Sequence, residues 1–199
     1  KGSIIQILNS DDILNSNLII EKTIKKIKKN PNCDIFLGDV VFFSLNNFHK
    51  INRFFQANNK RVRNILFGDM PPHPASFIKK KIYKKYGVYN TKFKIASDYD
   101  FFLRIFKLHK VKFKILNDQI VRMRTGGASD KNLKSYIITT SEILNSLKYH
   151  KLKISYFKVI LRAFIKIREL YFFNQKKLNL NFELFKFTFQ NLYYEKKNV

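Results

Sequence analysis

The sequence predicts an α/β core followed by a helical C-terminal tail, and three patterns carry that prediction. Short, β-prone apolar runs at residues 4–8 (IIQIL) and 34–43 (DIFLGDVVFF) alternate with segments at helical spacing. Strong punctuation separates them: Asn30-Pro31-Asn32, the three prolines of FGDMPPHP, and Gly87. After about residue 130 the pattern is helical to the end. Strands alternating with helices imply a sheet covered by helices. The expected division is a core over residues 1–130 and a basic amphipathic tail over 131–199.

The elements follow in order. Residues 4–8 read as a buried strand of the sheet, because both faces of such strands are apolar. Residues 17–29 place Leu18, Ile19, Ile20, Ile24 and Ile27 at helical spacing with lysines opposite, and Pro31 stops that helix. Residues 34–43 form a second strand, with 48–55 as its hairpin partner. FGDMPPHP is a loop, since prolines remove backbone donors and fix φ. Residues 75–86 begin extended and become a basic helix that Gly87 caps. Residues 98–108 form a helix with a broad apolar face, and 111–116 and 119–124 alternate as strands.

Composition narrows the function. The 199 residues carry 39 Lys+Arg against 14 Asp+Glu, a net charge of +25. Such an excess points to a polyanionic partner: phosphorylated substrates, an anionic membrane face, or nucleic acid. Cys33 is the single cysteine, which excludes an internal disulfide and a cysteine-rich zinc module and fits a reducing cytoplasm. No stretch reaches the roughly 20 apolar residues of a membrane span. Phosphate loops of the GxxxxGKS and GxGxxG types are absent, as is a GxSxG elbow, and the four histidines lack zinc-ligand spacing.

Four constellations can carry chemistry. Asn9-Ser10-Asp11-Asp12 follows a strand, at the sheet edge where open α/β folds place ligands. Its carboxylates suit Mg²⁺ or Mn²⁺, hard cations that share oxygen ligands with substrate phosphates, although the same residues also make an ordinary turn. Ser97-Asp98-Tyr99-Asp100 opens a helix and resembles a capping box, with Ser97 as N-cap and Asp100 in place of Glu. One of its carboxylates, Asp98 or Asp100, can serve as a base. His73, in Pro72-His73-Pro74, can bond a phosphate or an acceptor hydroxyl. Arg122 and Arg124 share one strand face and run into Gly126-Gly127, a turn whose free N–H groups can embrace a pyrophosphate.

Taken in order, the Asp-rich turn, HPASF with its basic helix, YGVYNTKFKIASDYDFFLRI and RTGGAS resemble family 2 glycosyltransferases over residues 1–130. The resemblance is closest to bacterial enzymes that build surface polysaccharides and lipid-linked glycans. It implies the C-terminal part of a GT-A fold with a helical tail, a nucleotide-sugar donor (a UDP-sugar), and Mn²⁺ or Mg²⁺ as cofactor. By resemblance, Asp11 and Asp12 hold the metal and the donor diphosphate, with Asn9 at the position where the family carries its first Asp. Asp98 matches the catalytic carboxylate, the base of an inverting displacement. His73, Arg104, Arg124, Gly126 and Gly127 fall on the acceptor or phosphate side. The resemblance also implies that the nucleotide-binding N-terminal half of such an enzyme precedes this stretch.

Residues 154–173 place Lys158, Arg162 and Lys166 on one helical face, with Phe157, Leu161, Phe164, Ile165 and Phe172 around the rest. A basic, aromatic-rich helix of this kind fits an anionic membrane surface, and equally fits a helix packed on its own core. The expectation is therefore a glycosyltransferase peripheral to the inner, cytoplasmic face of the membrane, with a glycan or lipid-linked acceptor. Two alternatives stand beside it: an inactive glycosyltransferase remnant or membrane-associated scaffold, and a basic nucleic-acid-binding module. The last ranks lower because no RRM, KH or zinc-finger signature is present.

Overall fold

A computed structural model of the protein describes residues 2–44, 47–124, 133–152, 157 and 159–161. The chain divides into two compact units, Lys1–Val159 and Ile160–Val199. In the second only Ile160 and Leu161 are described, and both are helical.

The first unit is a mixed α/β structure with a helical C-terminal end, the class the sequence predicts. Its strands are β1 (Ile4–Ile5), β2 (Ile13–Leu14), β3 (Ile35–Ser44), β4 (Asn47–Phe55), β5 (Ser76–Lys79) and β6 (Phe113–Arg124). They form one sheet in the order β1-β5-β3-β6-β2, with β4 also on β3. Only β3 and β6 run parallel; every other pairing is antiparallel. The helices are α1 (Ile19–Lys28), α2 (Asn59–Arg63), α3 (Lys80–Tyr86), α4 (Ser97–Leu103) and α5 (Leu133–Tyr149).

The apolar character of β3, interrupted only by Gly38 and Asp39 before its last residue, has a direct cause. Ile35 and Leu37 enter one core with residues of α3, α4 and α5, among them Ile82, Tyr99, Phe102, Ile143 and Leu147. Phe36 and Val40 enter a second core, with Ile19 and Ile27 of α1 and Val121 of β6. A strand covered on both faces takes apolar residues on both of them, and the buried Asp39 is the exception, accepting from Ala57 N–H at 2.8 Å. Ile143 and Leu147 are 2% and 0% exposed, so α5, which begins the stretch expected as a tail, contributes to this core.

Several expectations need correction. Residues 4–8 do not form a buried strand: only Ile4–Ile5 pair, antiparallel to β5, and Ile7 and Leu8 are exposed. Residues 111–116 and 119–124 join in one strand, β6. The break lies at Asn117, whose φ of 54° is left-handed and whose neighbourhood shifts the register against β3. Asn tolerates that region better than most side chains. Beyond Leu103 the helix widens into a π turn over Arg104–Leu108. Gly87 closes α3 as expected, with φ of 84° and its N–H on the Tyr83 carbonyl.

β3 and β6 meet closely at Gly38. A Cβ there would lie 2.1 Å from Cγ1 of Ile120 and 3.3 Å from the Ala75 carbonyl oxygen. Ile120 is fully buried and cannot retreat, so Gly38→Ala overpacks the sheet. The expected loss is about 1–3 kcal/mol, read as a lower denaturant midpoint with unchanged slope. An unchanged midpoint would contradict this close approach. Gly38 also donates its N–H to Ala75 (2.9 Å), which fixes the chain just after His73.

Candidate active site

The Asp-rich turn lies between two short strands at opposite edges of the described sheet. β1 precedes it on β5, and β2 follows it on β6, with Ile13 opposite Arg122. The turn closes when Asp12 N–H donates to the Asn9 carbonyl (3.2 Å) and Asn9 Nδ2 donates to Asp12 Oδ2 (2.8 Å). The turn reading of these residues is thus correct as local geometry. It leaves one oddity, because Asp12 is 6% exposed and its Oδ1 is buried without a hydrogen-bond partner. Burial pushes the Asp12 carboxyl above its ordinary range, against the bond from Asn9, and the charge of Asp11 adds to the rise. Asp11 itself is exposed.

His73 is held by its loop and by the strand before the turn. Gln6 Nε2 donates to the Pro74 carbonyl (2.9 Å), tying β1 to this loop. Ser76 bonds back to the carbonyls of Pro72 and His73 through Oγ and N–H (2.8 and 3.1 Å). The imidazole Nδ1 then lies 3.6 Å from Asp98 Oδ2. His73 also lies close enough to Asp12 to favour its ionised form. Asp12 and Asp98, 61 positions before it and 25 after it, therefore share this one histidine as an electrostatic neighbour.

Asp98 stands in the first turn of α4 with Oδ1 accepting from Tyr99 N–H (2.7 Å). Burial raises its pKa above the ordinary carboxylate value, His73 and the backbone donors oppose that rise, and Glu142 reinforces it. The side chain nevertheless keeps 23% of its surface exposed, so it remains reachable. Tyr89 packs edge-on to His73 at 6.4 Å and leans on Phe101 at 5.0 Å. Burial holds its phenol protonated far above the ordinary range, with Tyr83 and the Asp98 charge acting in the same sense.

Asp100 takes a different role. It is 1% exposed and accepts from Arg104 Nε (3.1 Å), Ser146 Oγ (2.7 Å) and His150 Nε2 (2.9 Å). The capping-box expectation fails here: Ala96 is the N-cap, Ser97 is already helical, and the N-cap residue makes no side-chain cap. Glu142 of α5 instead holds the chain just ahead of the helix, accepting from the N–H groups of Lys94, Ile95 and Ala96 at 2.8, 2.9 and 2.8 Å. Those three donors outweigh the burial that opposes ionisation and hold Glu142 below its ordinary range.

The remaining candidates fall into place unequally. Arg104 bonds Asp100, the Tyr86 carbonyl and the Val88 carbonyl, and its guanidinium stacks toward Phe101. These contacts join α3, its following loop and α4. Arg124 ends β6 and is exposed. Arg122, on β6 opposite β2, has a buried Nε without a partner. Gly126 and Gly127 lie outside the described residues, as does most of 154–173.

The donor chemistry at the turn fits a hard cation shared with substrate phosphates. Asp11 and Asp12 offer carboxylate oxygens, one of them the unpartnered Oδ1, and Asn9 keeps its amide oxygen. It does not fit a cation held by protein alone. Among the described residues no group of three or more His, Cys, Asp or Glu side chains gathers in metal-binding geometry.

Asp12 yields a sign-definite prediction. A carboxyl raised by burial binds more protons in the folded state than in the unfolded state, so stability falls as pH rises through that interval. Asp12→Asn removes the buried charge while its Oδ1 can still accept from Asn9. The variant is expected to melt no lower than the parent at pH 7, and the gain is expected to vanish in acid. A clear loss of melting temperature at pH 7 would contradict the account.

Gln6, Tyr89 and Glu142 had no signal in the sequence. Each acts through a partner 16–68 positions away, or through a ring packed against a loop, and no local spacing encodes that.

No protein-family model matches the chain, and no curated protein sequence does. Solved structures similar to the chain include two of one protein. One is residues 1–349 of S. aureus TarS, with 17% identity and a TM-score of 0.44, covering 73% of this chain and 42% of that one. The other is the same TarS segment in complex with UDP, with 14% identity and a TM-score of 0.43, again covering 73% and 42%. The chain thus spans less than half the length of either TarS structure.

Proposed function

We propose that this chain is the metal-diphosphate and acceptor-side part of an inverting, GT-A-type glycosyltransferase that uses a nucleotide-sugar donor. The observation that supports this reading is the pairing of His73 with a reachable Asp98 at 3.6 Å, with the buried Asp12 of the turn as a second carboxylate under the influence of the same histidine. The ordered motifs of the sequence point the same way.

In the proposed reaction an acceptor hydroxyl attacks the anomeric carbon of the donor sugar. The bond from that carbon to the diphosphate breaks, and the diphosphate leaves with the electron pair. Asp98 takes the hydroxyl proton, and His73 orients the Asp98 carboxylate from 3.6 Å. Asp11 and Asp12, with Asn9, hold the diphosphate end of the donor, while Arg124 and the Gly126-Gly127 turn contribute on the phosphate side. A Mn²⁺ or Mg²⁺ ion bound there would supply electrostatic stabilisation of the leaving diphosphate. Arg104 belongs to the acceptor side by holding α3 and α4 together, rather than by touching substrate.

The acceptor in this reading is a glycan or a lipid-linked glycan, which places the enzyme peripherally on an anionic, cytoplasmic membrane face. The 73% exposure of Phe157 supports that placement. Among the described residues no helix is long and apolar enough to cross a membrane.

Titration of UDP into the full-length protein tests the donor site. Binding is expected to need Mn²⁺ or Mg²⁺, to disappear in EDTA, and to weaken at least ten-fold in Asp11→Asn/Asp12→Asn. Equal affinity in EDTA and in the double variant would overturn the donor assignment.

A further inference from the structure

Glu142 has a position that the proposed chemistry does not explain. It sits on α5, 44 positions beyond Asp98, yet its carboxylate gathers three consecutive backbone donors, those of Lys94, Ile95 and Ala96. These are the last three residues before α4. A helix start normally finds its cap within its own segment, where a Ser, Thr, Asp or Asn accepts from the first free N–H groups. Here the local candidate, Ser97, is inside the helix and caps nothing. The start of α4 is therefore fixed from outside, by a side chain on another helix.

The same two helices are joined again one turn further along. Asp100 of α4 accepts from Ser146 of α5 and from His150, which follows it. Two anchoring points, Glu142 ahead of Asp98 and Asp100 after it, bracket the proposed base. From the geometry we infer that Glu142 is a positioning residue for Asp98: it sets where α4 begins and faces the base with a second negative charge. This inference rests on the reading of Asp98 as the proton acceptor.

The charged and titratable groups facing Asp98 are few. His73 comes from the proline loop, Tyr89 from the segment after α3, and Glu142 from α5. Tyr89 stays neutral, so of these three His73 and Glu142 are the groups whose charge acts on Asp98. They act in opposite senses: His73 favours the ionised carboxylate and Glu142 disfavours it. A base with a raised pKa is a stronger proton acceptor once ionised, which suits its task near neutral pH.

Two variants separate the two contributions. Glu142→Gln keeps an oxygen for the Ile95 and Ala96 donors but removes the charge. Glu142→Ala removes both. The pH dependence of kcat in the full-length protein is the measurement. Glu142→Gln is expected to move the acid limb to lower pH and to retain most of the plateau. Glu142→Ala is expected to lower kcat about 10- to 100-fold with donor KM changed less than three-fold, because the base is misplaced while the donor turn is untouched. A Glu142→Gln acid limb that coincides with the parent's overturns the charge role, and a Glu142→Ala kcat equal to the parent's overturns the positioning role. Asp98→Asn run alongside separates the two failures: if that variant keeps its turnover, the reading of Asp98 has failed, and otherwise only the role of Glu142 has.

Discussion

Asp98→Asn is expected to lower kcat about 10²- to 10⁴-fold, the usual contribution of a positioned general base. The substitution is close to isosteric. Its amide oxygen can still accept from Tyr99 N–H, so the start of α4 keeps its geometry. What changes is the capacity to take a proton. Donor KM should therefore move little, which distinguishes a lost base from a lost binding site. Stability should move the other way. Burial raises the Asp98 pKa, so the folded state holds the proton more tightly than the unfolded one, and the ionised carboxylate weakens the fold at neutral pH. Asp98→Asn should melt at least as high as the parent at pH 7. A variant that is both inactive and less stable would indicate a structural role for Asp98 instead.

Asp100→Ala is expected to have the largest effect on stability, a loss of about 3–5 kcal/mol. Asp100 is 1% exposed and serves three partners, and its removal leaves the guanidinium of Arg104, itself 14% exposed, without its carboxylate. It also unties α5 from α4. Urea denaturation reads this directly as a fall in midpoint. The pair Asp98 and Asp100, two positions apart, thus separates cleanly: one variant loses activity and keeps stability, and the other loses stability. Equal stability of Asp100→Ala and the parent would contradict the burial and pairing described here.

The two aspartates also show what a sequence can and cannot carry. SDYD displays two carboxylates in a first helical turn, and nothing local says which one faces solvent. The choice is made by Arg104, Ser146 and His150, which converge on Asp100 from as far as 50 positions away. The strands β3 and β5, α1, and the Gly87 stop were legible because their causes are local: apolar periodicity, proline and a left-handed glycine. The run IIQIL misled because β propensity is indifferent to partners. Only Ile4 and Ile5 find a partner strand, on β5, while Gln6 turns aside to bind the Pro74 carbonyl. The Asn9–Asp12 segment was legible as a turn and as an acidic site at once, and its geometry is that of a turn. The burial of Asp12 Oδ1 could be read only from the fold.

The carboxylates divide by purpose as well as by place. Asp118 is buried and Asp34 half-buried, and each is gripped by two lysines that hold it below its ordinary range. Their contribution is present above the unfolded value and is lost as pH falls through the lowered one. Asp12 and Asp98 are raised instead, so they oppose folding at neutral pH. Groups kept at the expense of stability and gathered about one histidine are candidates for chemistry.

The central claim, a metal-assisted sugar transfer with Asp98 as base, is tested most directly by nucleoside-diphosphate release. The full-length protein is incubated with a panel of nucleotide sugars and a glycan or lipid-linked acceptor, with Mn²⁺ or with EDTA. The account predicts acceptor-dependent release from at least one donor, lost in EDTA and reduced at least 100-fold in Asp98→Asn. Release that is undiminished in Asp98→Asn would contradict it, as would no release from any donor together with tight, salt-sensitive binding of RNA or DNA.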